Sequence, residues 1–291
     1  MIYLALSILS STLLGFLFKW FPKYEINTYQ AIVVNYIVCV LCGWVMLGHF
    51  PLQPSIVEKS WFPYALALGG LFIVGFNTAA YTIQQFGVTV GAVMQKMSIV
   101  MSVAWTLLFY QESAGWLKIT GLVAALLAIL FTNKPSEETI ERIKHKARWL
   151  YIFPILTLII SGCIEILLFE VEQINTENAD VGFIATLFGM AGLLGSIGLI
   201  GGIASGKMQW KTKNLLAGIG LGVPNFFSIY YLLKVLGIGM EGSVAFPVNN
   251  VGIIALSALL AYVLFKERLS SINWIGVGLS LVAIVLIALS H

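Results

Sequence analysis

Charge is scarce in this chain. Only 10% of its 291 residues are Asp, Glu, Lys or Arg, against about 25% in an ordinary soluble domain. With a mean hydropathy of +0.94, that leaves little room for a water-soluble domain. Cysteine is scarce too. Cys39, Cys42 and Cys163 all lie in apolar segments. The Cys39-x-x-Cys42 spacing falls mid-span and reads as two small packing residues rather than a redox or metal pair. The three histidines, His49, His145 and His291, lie near span ends or termini. No H-E-x-x-H, G-x-S-x-G or Walker-type loop occurs. No cofactor, metal or catalytic residue is therefore expected, and an ATP-driven pump within this chain is disfavoured. No ring of like charges suggests a channel. The net charge of +3 does not imply a nucleic-acid partner, because its distribution matters more than its sum.

What the chain does have is apolar runs of the length a bilayer core requires, about 20 residues per helix. Charge-poor runs between breakers predict an all-α integral membrane protein of ten transmembrane helices, over 2–20, 29–47, 62–85, 88–110, 115–132, 149–169, 180–204, 214–235, 241–265 and 271–290. The fifth is the shortest. "IQQFGVT" (83–89) separates the third from the fourth, with Gly87 at the turn. No basic region precedes the run that starts at Ile2, and Lys19 follows it, the reverse of signal-peptide order. A cleavable signal is not expected.

Lys and Arg predict the orientation. On the side that carries residue 1 lie Lys59, Lys118 and Lys234. Twelve basic residues lie on the other side: Lys19, Lys23, Lys134, Arg142, Lys144, Lys146, Arg148, Lys207, Lys211, Lys213, Lys266 and Arg268. The twelve-residue side is expected to be cytoplasmic and both termini extracytoplasmic, in a prokaryotic plasma (inner) membrane. The segment 133–148 reads as a basic cytoplasmic linker in which Ser136 could cap a short helix over 139–146. Trp44, Trp61, Trp116 and Trp149 sit near span ends and read as interface anchors.

The linker divides the chain into a first five-helix repeat, 1–132, and a second, 149–291. "EINTYQA" (25–31) and "QINTENA" (173–179) share Ile-Asn-Thr and a final Ala at an offset of 148 residues. Tyr81 and Gly87 match Tyr231 and Gly237 at 150, and Glu112 and Gly121 match Glu267 and Gly276 at 155. Five is odd, so the second repeat must enter the membrane inverted. That is a recurrent plan of secondary transporters, with the substrate site near the midplane. The offset grows across "VAFPVNNVG" (244–252), where Pro247 lacks an amide hydrogen. A kink or bulge is expected there, with Asn249 and Asn250 facing the freed backbone or a ligand.

Ten short spans, the five-plus-five repeat and minimal loops together resemble the drug/metabolite transporter superfamily, in its EamA-like branch. "LFKERLSSINWIGVGLSLVAIVLIA" (264–288) looks like that family's Glu-Arg-Leu turn and last helix. "FYQESAGWLKITGLVAALLAILF" (109–131) is a degraded copy that keeps Glu112 but has Ser-Ala for Arg-Leu. The resemblance implies transport of a metabolite and identifies no substrate.

Charges deep inside a span read by default as functional. Lys96 stands a third of the way into the fourth span, and Glu165 lies toward the outer end of the sixth. Their depths differ by roughly 12 Å at 1.5 Å per residue. A direct pair needs long side chains or tilted helices; snorkelling to the interface is the alternative for Lys96 and an interfacial position the alternative for Glu165. Polar stripes at helical spacing add Asn77 and Tyr81 on span three, Gln95, Ser98, Ser102 and Trp105 on span four, and Pro224, Ser228 and Tyr231 with Asn225 on span eight. The candidate substrate-binding residues are Lys96, Gln95, Asn77, Tyr81, Trp105, Asn225, Tyr231, Asn249 and Asn250. Glu165 is the candidate charge partner or proton carrier. Gly218 and Gly222, followed by Pro224, suit a closely packed helix that can bend.

The expected function is secondary transport of a small polar or amphipathic organic metabolite by alternating access. Coupling to a proton or a counter-substrate is open, as is the choice of monomer or homodimer. A flippase for a lipid-linked sugar or related amphiphile is the alternative, and a membrane-embedded enzyme is the rival of a different class.

Overall fold

The computed structural model describes residues 1–290 except 22, 87, 135–136, 145, 175–179, 207 and 266–269. Gly87, the cap Ser136, most of the "QINTENA" copy and the Glu267-Arg268-Leu269 turn fall outside the described residues. The described chain is helical, with α1 Ile2–Trp20, α2 Thr28–Leu47, α3 Phe62–Phe86, α4 Val88–Lys96, α5 Ile99–Phe109, α6 Trp116–Thr132, α7 Glu137–Lys144, α8 Ile152–Ile174, α9 Val181–Ala204, α10 Thr212–Gly237, α11 Gly242–Phe265 and α12 Ser271–Ala288. Eight helical stretches are long and apolar enough to cross a membrane. Two shorter apolar helices, Ile2–Phe18 and Trp116–Thr132, fall on the first and fifth expected spans. The short α7 lies in the linker.

Local chemistry sets the helix starts. The Asn27 side chain accepts from the Gln30 amide at 3.1 Å, and Gly48 closes α2 with φ +72°, a left-handed conformation that favours glycine. Asp180 accepts from the Gly182 and Phe183 amides at the head of α9. Ser270 and Asn273 form a capping box on α12. The start of α11 is capped from far away in sequence: the Glu112 carboxylate accepts from the Gly242 and Ser243 amides at 2.7 and 2.9 Å.

The chain forms two compact units. The first comprises Met1–Ile73 with Leu167–Ile238, the second Val74–Ile166 with Gly239–His291. Each draws helices from both sides of the linker, so these units and the two sequence repeats are different divisions of the chain. In the first unit, α2 packs closely on α10. A Cβ added at Gly218 or Gly222 would collide with Val34 or Val38. Cys39 is a free, buried thiol that donates to the Gly222 carbonyl at 3.3 Å. Ser7 of α1 donates to the Ser228 carbonyl of α10 at 3.0 Å, and Tyr29 of α2 to the Gly195 carbonyl of α9 at 2.9 Å. In the second unit, Ile99, Ala125, Ala128, Ile129, Val251, Ile254 and Ala283 form a core that joins α5, α6, α11 and α12.

Two expectations need correction. Trp61 is not an interface anchor: it is 2% exposed, and its indole N–H donates to Asp180 at 2.7 Å. Trp44, Trp116 and Trp149 are exposed, as anchors must be. The helix interruption also falls elsewhere. α11 runs from Gly242 through Pro247 to Phe265 without a break, whereas the fourth span divides into α4 and α5 at Met97–Ser98.

Candidate functional site

Ser98 stands at the interruption. Its hydroxyl donates to the Gln95 carbonyl at 2.6 Å, taking an acceptor that a continuing helix would use. The next turn tightens, with Val100 N–H donating to Met97 O at 3.1 Å, an i to i−3 bond. The break creates two helix ends inside an apolar run. Lys96 occupies the last turn of α4, where the helix dipole favours a cation. Ser98 and Ser102 mark the first turn of α5, where it favours an anion.

Glu165 of α8 meets that second end. Ser102 donates to Oε2 at 2.7 Å and Ser98 to Oε1 at 3.2 Å. Asn250 of α11 donates its amide N–H to Oε1 at 2.8 Å, and its carbonyl Oδ1 accepts from Lys96 Nζ at 2.9 Å. One primary amide thus bridges ammonium and carboxylate, satisfying both with opposite ends of the same group. The Ser98, Ser102 and Asn250 side chains are buried, while Lys96 and Glu165 are half-buried. The remaining two donors of the Lys96 ammonium meet no protein acceptor among the described residues. On the residue before Asn250, Asn249 Oδ1 is buried and accepts no hydrogen bond within the described protein. All of this lies within the second unit.

Of the residues singled out from sequence, the structure joins Lys96, Asn250 and Glu165 in one network and sets Asn249 beside it in the chain. The others take different positions. Gln95 and Asn77 are exposed. The Tyr81 ring packs on Phe153 at 4.3 Å and Trp105 on Phe109 at 4.1 Å. Asn225 and Tyr231 belong to the first unit, where Tyr231 stacks with Tyr3 and Phe227. Ser98 and Ser102 hold Glu165 but stood in the sequence only as members of a stripe. Their i, i+4 spacing was the available signal.

A second charged cluster was not foreseen. Lys118, which reads as a surface lysine, is fully buried on α6. Its ammonium pairs with Glu241 and donates to Ser243 at 3.0 Å and Ser113 at 3.2 Å. Together with Glu112 on the α11 amides, it ties the segment before α6 to the head of α11.

No family model matches this chain. An uncharacterized protein of Haemophilus influenzae is 27% identical over 288 residues, covering 97% of this chain and 95% of that one. A solved structure described only as "Crystal structure of protein" matches with a TM-score of 0.74 at 12% identity, over 99% of this chain and 97% of that one. The likeness to it is one of fold.

Proposed function

We propose that this chain is a membrane-embedded secondary carrier that moves a small polar or amphipathic organic metabolite by alternating access, with Lys96 holding an anionic group of the substrate. The observation that carries the reading is the network at the α4–α5 break. It sets an ammonium with two open donors against a buried amide and a carboxylate, inside a segment otherwise built of apolar residues. A charge at bilayer depth costs about 2.5–3.5 kcal/mol on insertion scales, so its retention calls for a use. Broken helices whose ends face charges are the form that carrier sites take in several transporter folds.

The inverted five-helix repeats and the kinship with EamA-like carriers belong to the same proposal. They rest on the offset matches and on the closing stretches of the two halves. So does the orientation, with linker inside and termini outside, which rests on the twelve-to-three distribution of basic residues.

A thermal-shift screen of the purified protein against metabolite classes tests the function, since a ligand that binds the folded state raises its apparent stability. Small organic anions are expected to raise Tm in the native protein and not in Lys96→Met. Stabilisation by neutral or cationic compounds alone, equal in both proteins, would overturn the assignment of Lys96.

One feature favours the flippase alternative. In the first unit an apolar groove of about 220 Å³ runs between α1 and α10, lined by Leu17, Trp20, Phe21, Leu216 and Gly220, with Lys213 among its walls. The apolar part of that lining suits an acyl chain, while the Lys213 ammonium is held by the Tyr24 carbonyl at 2.8 Å and Glu25 at 3.3 Å. Stabilisation by lipid-linked anions and not by soluble ones would select it.

A further inference from the structure

The serine hydroxyls around Glu165 each have two acceptors in reach, and a hydroxyl has one hydrogen to give. Ser102 Oγ stands 2.7 Å from Glu165 Oε2 and 3.3 Å from the Ile99 carbonyl. Ser98 Oγ stands 3.2 Å from Glu165 Oε1 and 2.6 Å from the Gln95 carbonyl. When Glu165 is a carboxylate, the hydroxyls can point at it. When it is a carboxylic acid, a hydroxyl can turn its hydrogen to the backbone carbonyl and accept the acid O–H. Asn250 can donate to Oε1 in both states. Both protonation states are thus satisfied by hydroxyl rotation alone, without moving the backbone.

Charge balance gives the second half of the argument. From α4, Glu165 is faced by Lys96, from the start of α5 by Ser98 and Ser102, and from α11 by Asn250. On α8 itself the nearest titratable neighbours in sequence are Cys163 and Glu170. Lys96 is the charged group facing it among the described residues. With Lys96 as a cation and Glu165 as an anion, the empty site is neutral. An anion bound to Lys96 with Glu165 still ionised leaves one uncompensated negative charge, and a protonated Glu165 without an anion leaves one positive charge. Uncompensated charge away from bulk water is the costly condition. A bound anion together with one proton on Glu165 restores neutrality.

We infer that the site takes up one organic monoanion on Lys96 together with one proton on Glu165, so that anion and proton move as a pair. This rests on the assignment of Lys96 as the anion-holding group. The proton comes from the aqueous phase and forms an O–H bond on a Glu165 carboxylate oxygen; no other bond is made or broken. Reciprocity of binding then requires that low pH tightens anion binding, and that the anion draws in the proton. For one linked proton the affinity changes by at most about tenfold per pH unit.

The test uses ethanesulfonate, a small anion that stays ionised and carries no proton of its own. It is titrated into the purified full-length protein in weakly buffered detergent with a pH-indicating dye. The native protein is expected to bind it saturably, more tightly as pH falls, with uptake approaching one proton per bound anion. Lys96→Met should show neither binding nor uptake. Glu165→Gln should bind with an affinity independent of pH and take up no proton. Binding to the native protein without proton uptake, with affinity flat across pH, would overturn the paired uptake and leave the Lys96 assignment standing. Proton uptake that persists in Glu165→Gln would have the same meaning. Absence of saturable, Lys96-dependent binding would overturn the anion site and the proton pairing together. The pH dependence in the native protein decides the matter even if Glu165→Gln does not fold.

Discussion

If the chain is the anion carrier proposed above, replacing Lys96 with methionine is expected to leave a folded protein whose anion transport falls at least about tenfold, a loss of about 1.4 kcal/mol. Methionine keeps the unbranched apolar stem and removes the ammonium. The carbonyl of Asn250 loses its donor, but Glu165 keeps the three hydrogen bonds from Ser98, Ser102 and Asn250. The network is therefore weakened rather than dismantled, and the fold should persist. What disappears is the pair of open donors, and with it the group that would attract an anion. Lys96→Arg separates two roles of the side chain. Arginine retains the charge but presents a planar fork in place of a compact ammonium. It should recover more function if charge alone matters, and less if Asn250 Oδ1 needs a point donor. Uptake into proteoliposomes, at matched reconstitution and with the ligand found by thermal shift, is the measurement. Unchanged uptake in Lys96→Met would reduce Lys96 to a packing or snorkelling role.

The positions of the apolar helices were legible in the sequence because low charge density and run length are local properties. The caps Asn27, Asp180 and Ser270 were not singled out, although a short polar side chain just before an apolar run is the local signal for one. Lys96 was conspicuous because a charge inside an apolar run needs no partner to be noticed. Its partners were harder to find. Asn250 lies 154 residues away, and depth along each helix placed Lys96 and Glu165 too far apart for a simple pair. Depth alone does not reveal that an amide can span such a gap. The break was misplaced for a related reason. Pro247 removes one backbone donor, and α11 absorbs that loss without ending. Ser98 redirects a backbone acceptor through its side chain, an effect that depends on rotamer and is not visible in composition. Trp61 resembled an interface anchor because tryptophans near span ends usually are. Its buried bond to Asp180, 119 residues away, is a tertiary fact.

Lys118→Met is expected to lower stability by about 2–3 kcal/mol, somewhat below the ~3–5 kcal/mol typical of breaking a fully buried pair. The reduction follows from geometry: the Lys118 side chain is fully buried, but that of Glu241 is 26% exposed and can recover part of its hydration. Methionine is a good helix former of similar length, so α6 itself should not be disturbed. The lost groups are the ammonium and its bonds to Glu241, Ser243 and Ser113. Glu241 is then left as a charge without its counterion beside Glu112, whose carboxylate still caps α11. The effect should appear as a lowered Tm of the detergent-solubilised protein. A double-mutant cycle with Glu241→Gln separates the pair from its surroundings, because neutralising the carboxylate should recover part of what Lys118→Met loses. A coupling well above 1 kcal/mol is expected, since exposed ion pairs contribute about 0–1 kcal/mol. A coupling within that lower range would mean that Lys118 acts mainly through its serine partners. The tie between the segment before α6 and the head of α11 would then rest on those serine bonds and the Glu112 cap rather than on the ion pair.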